Sequence, residues 1–163
     1  MSIRILGQAE GRERAAAEES VLPVQLKRAY QDTTYIVYLP DGPLSIRVGK
    51  RHPELDCLLA VHQCQTWVFL SAENPRSQAL LPELNERRHR KLIDELRKQR
   101  VLFFEGSGVP DRPGWQPEKS VLVLGIDAAW ILRHAVEFEQ FAVVEGRIGE
   151  PARLSAIPLT HTA

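Results

Sequence analysis

The chain alternates short apolar runs with segments whose apolar residues recur at helical spacing. Short apolar runs bounded by Gly, Pro, Asn or Asp are typical of strands, whereas recurrence roughly every three to four residues is typical of helices. These patterns predict strands at 34–39, 44–48, 67–72, 101–105, 120–126, 141–144 and 153–157, and helices at 21–30, 52–63, 81–99 and 127–138.

Turn residues join the outer strands into hairpins. Residues 40–43 read Pro-Asp-Gly-Pro between the first two predicted strands, and Gly146 and Gly149 mark a turn before the last one. Strand-helix-strand units lie between the two hairpins. This order predicts an α+β fold, a single domain with a mixed β-sheet, hairpins at both ends and covering helices.

A chain of 163 residues is long enough to bury one hydrophobic core. Residues 1–19 mix Gly, Arg, Glu and Ala and contain no sustained apolar face. We therefore expect a flexible N-terminal tail at 1–19 and one α+β domain at 20–163.

The charge of the chain is balanced, with 21 Lys plus Arg and 21 Asp plus Glu. Because no global field favours nucleic acid or an anionic membrane, neither is expected as a partner. Basic residues do concentrate at 87–100, but a solvated helix face accounts for such a run. Any preference for an anion must therefore be local.

Two cysteines, Cys57 and Cys64, are too few for a disulfide scaffold, and the N-terminus does not read as a signal peptide. We expect free thiols in a reducing cytoplasm. His62 lies between the cysteines, but no second Cys or His pair stands at ligand spacing, so no metal site is predicted. No apolar run reaches the length of a membrane-spanning helix.

The helix predicted at 81–99 has an interrupted apolar stripe. Leu81, Leu84, Leu92 and Leu96 define one face, and the missing apolar position falls on Arg88. A buried charge is costly unless it is paired, so Arg88 indicates a functional site on this face, with Asn85 beside it. The alternative is that Arg88 extends to solvent along its aliphatic stem and Asn85 is an exposed helix residue.

Two loops flank this helix and its strands. The corner 74–77 reads Asn-Pro-Arg-Ser and leaves the end of an apolar strand, which is the usual place for ligand-contacting residues. The irregular segment 109–119 is rich in Pro and Gly and contains Trp115, and loops of this length are often functional. The Gly-Ser-Gly at 106–108 is a weak phosphate signal because it lacks the Walker lysine.

Several unusual residues at ordered spacing resemble one bacterial family, called domain of unknown function 3293. The resemblance covers roughly 27–144 and implies no established activity. It rests on Ala29-Tyr30, Ser71-Ala72, the corner 74–77, Asn85 with Arg88 and Leu92, Trp115 with Glu118 and Ser120, and Phe138 with Gln140. The resemblance implies functional roles for Asn74, Ser77, Asn85, Arg88, Trp115 and Glu118.

The chain departs from the family's pattern at two positions beside these residues. Glu73 stands where an apolar or aromatic residue is expected, and Lys119 stands where members often carry proline. We therefore expect the ligand preference of this chain to differ from that of other members.

One hypothesis is a site for a small anionic or nucleotide-like ligand. Arg88 would bind phosphate or carboxylate, Trp115 would stack on a ring, and Glu118 would act as a base or accept from a sugar hydroxyl. Asn74, Ser77 and Asn85 would supply neutral hydrogen bonds. The pattern identifies no cofactor and does not decide whether the chain is an enzyme, and a hydrolytic Ser77–His89 pair is not favoured.

The alternative hypothesis is an interaction or regulatory module without chemistry. Under it, Arg88 and Glu118 form a buried ion pair that clamps the long loop onto the helix, and Trp115 anchors the loop in the core. The two hypotheses differ in whether Arg88 and Glu118 face an open cavity or each other.

Overall fold

The computed structural model describes residues 22–114 and 116–158. The tail predicted at 1–19 lies outside these residues. The described helices are α1 (Val24–Gln31), α2 (Pro53–Val61), α3 (Pro82–Gln99) and α4 (Ala128–Glu137), with a short 3-10 turn at Pro75–Ser77. The described strands are β1 (Thr33–Leu39), β2 (Gly42–Ile46), β3 (Thr66–Ser71), β4 (Leu102–Pro110), β5 (Glu118–Leu124), β6 (Ala142–Arg147) and β7 (Arg153–Ala156).

Local sequence accounts for the helix boundaries. Pro53 and Pro82 stand in the first turns of α2 and α3, where the missing N–H of proline costs no helical hydrogen bond. The side chain of Asp127 caps α4 by accepting from the backbone N–H of Trp130 at 2.7 Å. Helix α3 ends at Arg100, which adopts a left-handed conformation with φ 56°.

The strands form one seven-stranded sheet in the order β2-β1-β4-β5-β3-β6-β7. The predicted α+β fold and its terminal hairpins, β1–β2 and β6–β7, are confirmed. The described sheet is not mixed, however, because every pairing in it is antiparallel.

The reason lies in the two crossover connections. Strands β3 and β4, joined by α3, run in the same direction but are separated by β5; strands β5 and β6, joined by α4, are separated by β3. Each helix therefore crosses over one intervening antiparallel strand. The segment from β3 to β6 has the order of the split βαββαβ motif, which the hairpins extend at both edges.

Hydrophobic clusters cover both faces of the sheet. One cluster packs α3 and α4 against Val68, Leu70, Val121 and Val123. The other packs α2 and the β1–β2 hairpin against Trp67, Phe69, Leu122 and Leu124. Because β3 and β5 are buried on both faces, their sequences are continuous apolar runs.

Two expectations about this region are corrected. The strand predicted to end at 105 continues to Pro110, so the Gly-Ser-Gly at 106–108 is part of β4 and pairs with β1 and β5. A Cβ at Gly106 would lie 2.3 Å from the carbonyl oxygen of Ile36, so glycine allows β1 to approach. The inward face of α3 consists of His89, Leu92, Ile93 and Leu96, whereas Leu81 and Leu84 are exposed.

The predicted thiols are free, with Cys57 exposed and Cys64 partly buried. Among the described helices, none combines the length and apolar character needed to cross a membrane.

Candidate functional site

The corner after β3 has an unusual backbone. Asn74, Arg76 and Ser77 all adopt positive φ, at 47°, 52° and 56°. Glu139, with φ 54°, contacts this corner through its carbonyl oxygen, which accepts from the N–H of Arg76 at 2.7 Å. Residues other than glycine rarely adopt this conformation, and such strain concentrates at functional sites.

The side chain of Asn74 is the centre of the corner. Its Oδ1 accepts from the Asn85 side chain at 2.8 Å and from the Leu80 N–H at 3.1 Å, while its Nδ2 donates to Oε1 of Glu118 at 2.7 Å. The backbone N–H of Asn74 donates to Oδ1 of Asn85 at 2.9 Å. The corner, helix α3 and strand β5 are thereby joined through one amide side chain.

Arg88 is engaged by the backbone. Its Nε donates to the carbonyl of Ala72 and its Nη2 to the carbonyl of Phe138, both at 2.6 Å. These carbonyls lie after β3 and at the end of α4, so the guanidinium joins two chain ends. Within residues 22–114 and 116–158, Arg88 and Glu118 form no ion pair, so the direct clamp that the alternative hypothesis requires is not formed there.

Glu118 lies on the other side of the corner, partly buried at the start of β5. Burial raises the pKa of its carboxyl, the hydrogen bond from Asn74 partly offsets this, and the neighbouring Glu73 raises it further. The pKa values of Tyr30 and Tyr35 are also raised, mainly by burial, and Glu118 contributes to both. The carboxyl of Glu118 therefore lies close enough to both tyrosines to oppose the ionisation of their hydroxyls.

A cavity of about 720 Å³ opens beside Glu118, between α1 and the sheet. Its aromatic walls include Tyr30, Tyr35 and Phe69, and the last two rings meet edge to face with centroids 5.2 Å apart. Its polar lining includes Ser71, Asn74, Ser77, Glu118, Ser120 and Gln140. The cavity thus combines an apolar interior with a small number of convergent polar groups.

The predicted site residues divide between two places. Asn74, Ser77 and Glu118 line the cavity, whereas Asn85 and Arg88 hold the corner from the side of α3. Trp115 lies outside the residues that the structure describes.

The prediction omitted Tyr35 and Phe69, because aromatic residues in strands read as ordinary core. Tyr30 and Gln140 carried a signal, since both belong to the family pattern. That pattern alone did not show that they face the same space as Glu118.

The two departures from the family's pattern are in contact. The backbone N–H of Lys119 donates to Oε2 of Glu73 at 3.1 Å. Burial raises the pKa of Glu73, and this hydrogen bond is the largest opposing effect. A proline at 119 has no N–H to donate, so lysine and glutamate at these two positions are mutually compatible.

His89 does not face Ser77. His89 lies on the buried face of α3, and its Nε2 is 3.4 Å from Oε1 of Glu105. Ser77, in contrast, is exposed and lines the cavity. Nδ1 of His89 is the buried side-chain polar atom without a hydrogen-bond partner in the described part of the chain. The geometry therefore provides no Ser77–His89 pair.

One group of side chains has potential metal ligands at short range. The ligand atoms of Glu95, His134 and Glu137 lie within 4.8 Å of one another, between α3 and α4. Both ring nitrogens of His134 are already engaged, by the carbonyl of Trp130 and the amide of Gln99. Lys91 lies 3.3 Å from Glu137 and 4.0 Å from Glu95, so a side-chain ammonium already balances the two carboxylates.

A family model described as a protein of unknown function, DUF3293, matches residues 70–143. The match spans the corner, α3, β4, β5 and α4, and it ends within β6. No curated protein matches the sequence. No solved structure matches it either.

Proposed function

We propose that this chain, whose residues 70–143 match the DUF3293 family model, binds a small nucleotide-like ligand in the cavity between α1 and the sheet. The observation that carries the proposal is Glu118, a partly buried carboxylate that faces this cavity and is held there by Asn74. A buried carboxylate is costly to maintain unless it has hydrogen-bonding partners. A ligand that donates hydrogen bonds to Glu118 would supply them.

The size and lining of the cavity suit a ring-bearing molecule. Small-molecule sites in proteins have volumes of roughly 300–1,000 Å³, are mostly apolar and carry a few placed polar groups. The cavity volume, about 720 Å³, lies in this range. Tyr30, Tyr35 and Phe69 offer aromatic surface for a ring, and Asn74 and Ser77 lie beside Glu118 as further polar groups.

The cavity also limits where an anionic part of the ligand is bound. Arg88 donates to backbone carbonyls and does not line the cavity. The basic residues of the lining are Arg28 and Arg112, both exposed. A phosphate group, if the ligand carries one, would therefore lie at these residues on the outer side, with the ring further inside.

Binding is tested by ligand-observed NMR with adenosine, guanosine, cytidine and uridine, and with their monophosphates. We expect at least one nucleoside to bind the wild type. Ala29→Trp should abolish this binding, because Ala29 lines the cavity and the indole would occupy it. Ala60→Trp is the matched control, since Ala60 is exposed on α2 away from the cavity.

Two results would contradict the proposal. One is that none of the probes binds. The other is that Ala29→Trp binds them as well as Ala60→Trp does, which would place the binding elsewhere on the surface.

A further inference from the structure

We infer that the ligand presents an amino group to Glu118, so that the cavity selects amine-bearing rings over rings that carry an anionic group beside this residue. This inference rests on the proposed function, because it specifies the chemistry of the same cavity.

Glu118 has unused hydrogen-bonding capacity. A carboxylate has two oxygens and accepts about four hydrogen bonds. Within the described residues, only Asn74 donates to the Glu118 side chain, at Oε1. Oε2 has no donor in this part of the chain, and the cavity lies beside it. A donor group on a ligand is the chemistry that completes this carboxylate.

The neighbouring hydroxyl groups leave this capacity open. The hydroxyl of Tyr35 donates to the carbonyl of Tyr30 at 2.9 Å. The hydroxyl of Ser120 donates to the backbone carbonyl of Glu118, and that of Ser107 does the same, both at 3.2 Å. These three hydroxyls donate to backbone carbonyls and not to the side chain of Glu118, which receives its hydrogen bond from the neutral amide of Asn74.

The neighbouring cations are each engaged elsewhere. Arg88 contacts two backbone carbonyls, Lys119 pairs with Glu86, and Arg47 pairs with Asp111 at 2.7 Å. Glu73 adds a second negative charge near Glu118, and the pKa values of both are raised mainly by burial. Of the two basic residues that line the cavity, Arg112 pairs with Asp32 at 3.1 Å and Arg28 is exposed. Within the described chain no Lys, Arg or His forms an ion pair with Glu118, so this carboxyl carries a negative charge when it is ionised.

This electrostatic arrangement discriminates between ligands. A phosphate or carboxylate placed beside Glu118 would be repelled by the like charge of its carboxylate, which disfavours binding. An ammonium forms a charge-assisted hydrogen bond with Glu118, which is stronger than a bond between neutral groups. A hydroxyl group lies between these extremes.

Three probes of similar size compare an amino, a hydroxyl and a carboxylate group on the same ring: benzylamine, benzyl alcohol and benzoate. Their dissociation constants are measured by protein-observed NMR titration at neutral pH. We expect benzylamine to bind roughly tenfold more tightly than benzyl alcohol, the ratio that corresponds to one charge-assisted hydrogen bond. Benzoate should bind most weakly.

Variants assign the preference to Glu118. Glu118→Gln keeps an acceptor for Asn74 but removes the charge, so benzylamine should lose roughly tenfold in affinity while benzyl alcohol changes little. Asp94→Asn is the matched control, because Asp94 is exposed on α3 and removing its charge should leave all three affinities unchanged. If Glu118→Gln does not fold, titration of the wild type toward acidic pH replaces it, since protonation of Glu118 should weaken benzylamine selectively.

The possible outcomes separate this inference from the function on which it rests. Benzoate binding as tightly as benzylamine, at a site that Ala29→Trp blocks, would overturn the amine preference and leave the cavity function standing. A benzylamine preference that Glu118→Gln retains would also overturn it. Absence of binding by all three probes and by the nucleosides would overturn both.

Discussion

The two sides of the Asn74 corner differ in how completely their polar groups are satisfied. On the α3 side, Arg88 donates to two backbone carbonyls, and Asn85 both donates to and accepts from Asn74. On the cavity side, Glu118 receives one hydrogen bond from Asn74 and faces about 720 Å³ of space. Asn74 thus joins a network anchored on backbone carbonyls to a carboxylate that receives one side-chain hydrogen bond.

We interpret the α3 side as structural and the cavity side as the proposed binding site. Arg88 is held by two backbone carbonyls and lies over the ring of Phe138, so it stabilises the fold whether or not a ligand is bound. A buried carboxylate with one neutral donor is a local conflict, and such conflicts are expected where a protein keeps groups for binding. The strained backbone at 74–77 lies between the two sides, so it fixes the position of one relative to the other.

The largest expected effect on stability is that of Arg88→Leu, which removes the guanidinium contacts on the α3 side of the corner. The substitution leaves the Ala72 carbonyl without its donor and weakens the bonding at the Phe138 carbonyl, so it should lower the free energy of unfolding by about 2 to 4 kcal/mol. Chemical denaturation of wild type and variant measures the loss. Arg87→Leu, on the exposed side of the same helix turn, is the control and should change stability little.

The double variant Arg88→Leu/Glu118→Gln sharpens the comparison. Because the two side chains make no contact in the described structure, the effects of the two substitutions should be additive. Restoration of stability by Glu118→Gln would show that the charges depend on each other, and the division into two separate sides would then be wrong.

An intermediate effect is expected from substitution of the shared residue. Asn74→Ala removes the hydrogen bonds to Glu118, Asn85 and Leu80 and also leaves a Cβ at φ 47°. Asn74→Gly removes the same hydrogen bonds but tolerates this conformation. The alanine variant should therefore be less stable than the glycine variant by about 1 kcal/mol, measured by thermal or chemical unfolding.

Equal stability of the alanine and glycine variants would show that the corner relaxes once the side chain of Asn74 is removed. The positive φ would then be a consequence of the hydrogen bonds and not a constraint that glycine relieves.

The smallest expected effect is the change in the free energy of unfolding with pH that results from ionisation of Glu118. Burial raises the folded-state pKa of Glu118, so the folded chain binds this proton more tightly than the unfolded chain does. Stability therefore decreases as pH rises from the ordinary carboxyl range through the raised folded pKa, and the penalty is constant above it. Glu118→Gln should be more stable than the wild type at neutral pH, with the difference disappearing in acid.

Urea unfolding of both proteins across this pH range measures the difference, with Asp94→Asn as the control for an exposed acid. A Glu118→Gln variant that is less stable than the wild type at neutral pH would mean that the ionised carboxylate already has stabilising partners.

Much of the architecture followed from the sequence because its signals are local. Hairpin turns, helix caps and the apolar runs of β3 and β5 depend on neighbouring residues, and these elements form close to their predicted positions. The strand order is different, because insertion of β5 between β3 and β4 depends on long-range pairing. Periodicity does not report which strands are neighbours, and the predicted mixed sheet was wrong for this reason.

The candidate site follows the same division: its residues could be selected from local patterns, but their long-range contacts could not. The gap in the apolar stripe at Arg88 marked a partly buried charge, but its acceptors are the carbonyls of Ala72 and Phe138, sixteen and fifty residues away along the chain. Every residue has a backbone carbonyl, so no residue type in the sequence could indicate which two carbonyls accept from Arg88. Likewise, Tyr35 and Phe69 were readable as inward-facing strand residues, but the space between them and α1 is a property of the assembled layers.

Helix α1 is a weakly buried wall of that space. It forms one wall of the cavity, yet none of its residues is fully buried, and Tyr30 and Ala29 attach it through carbonyls that accept from Tyr35 and Thr33. Segments with so little buried surface open at a small fraction of the global unfolding free energy. We therefore expect the eight residues of α1 to exchange their amide hydrogens faster than the central strands β3 and β5, which are buried on both faces of the sheet.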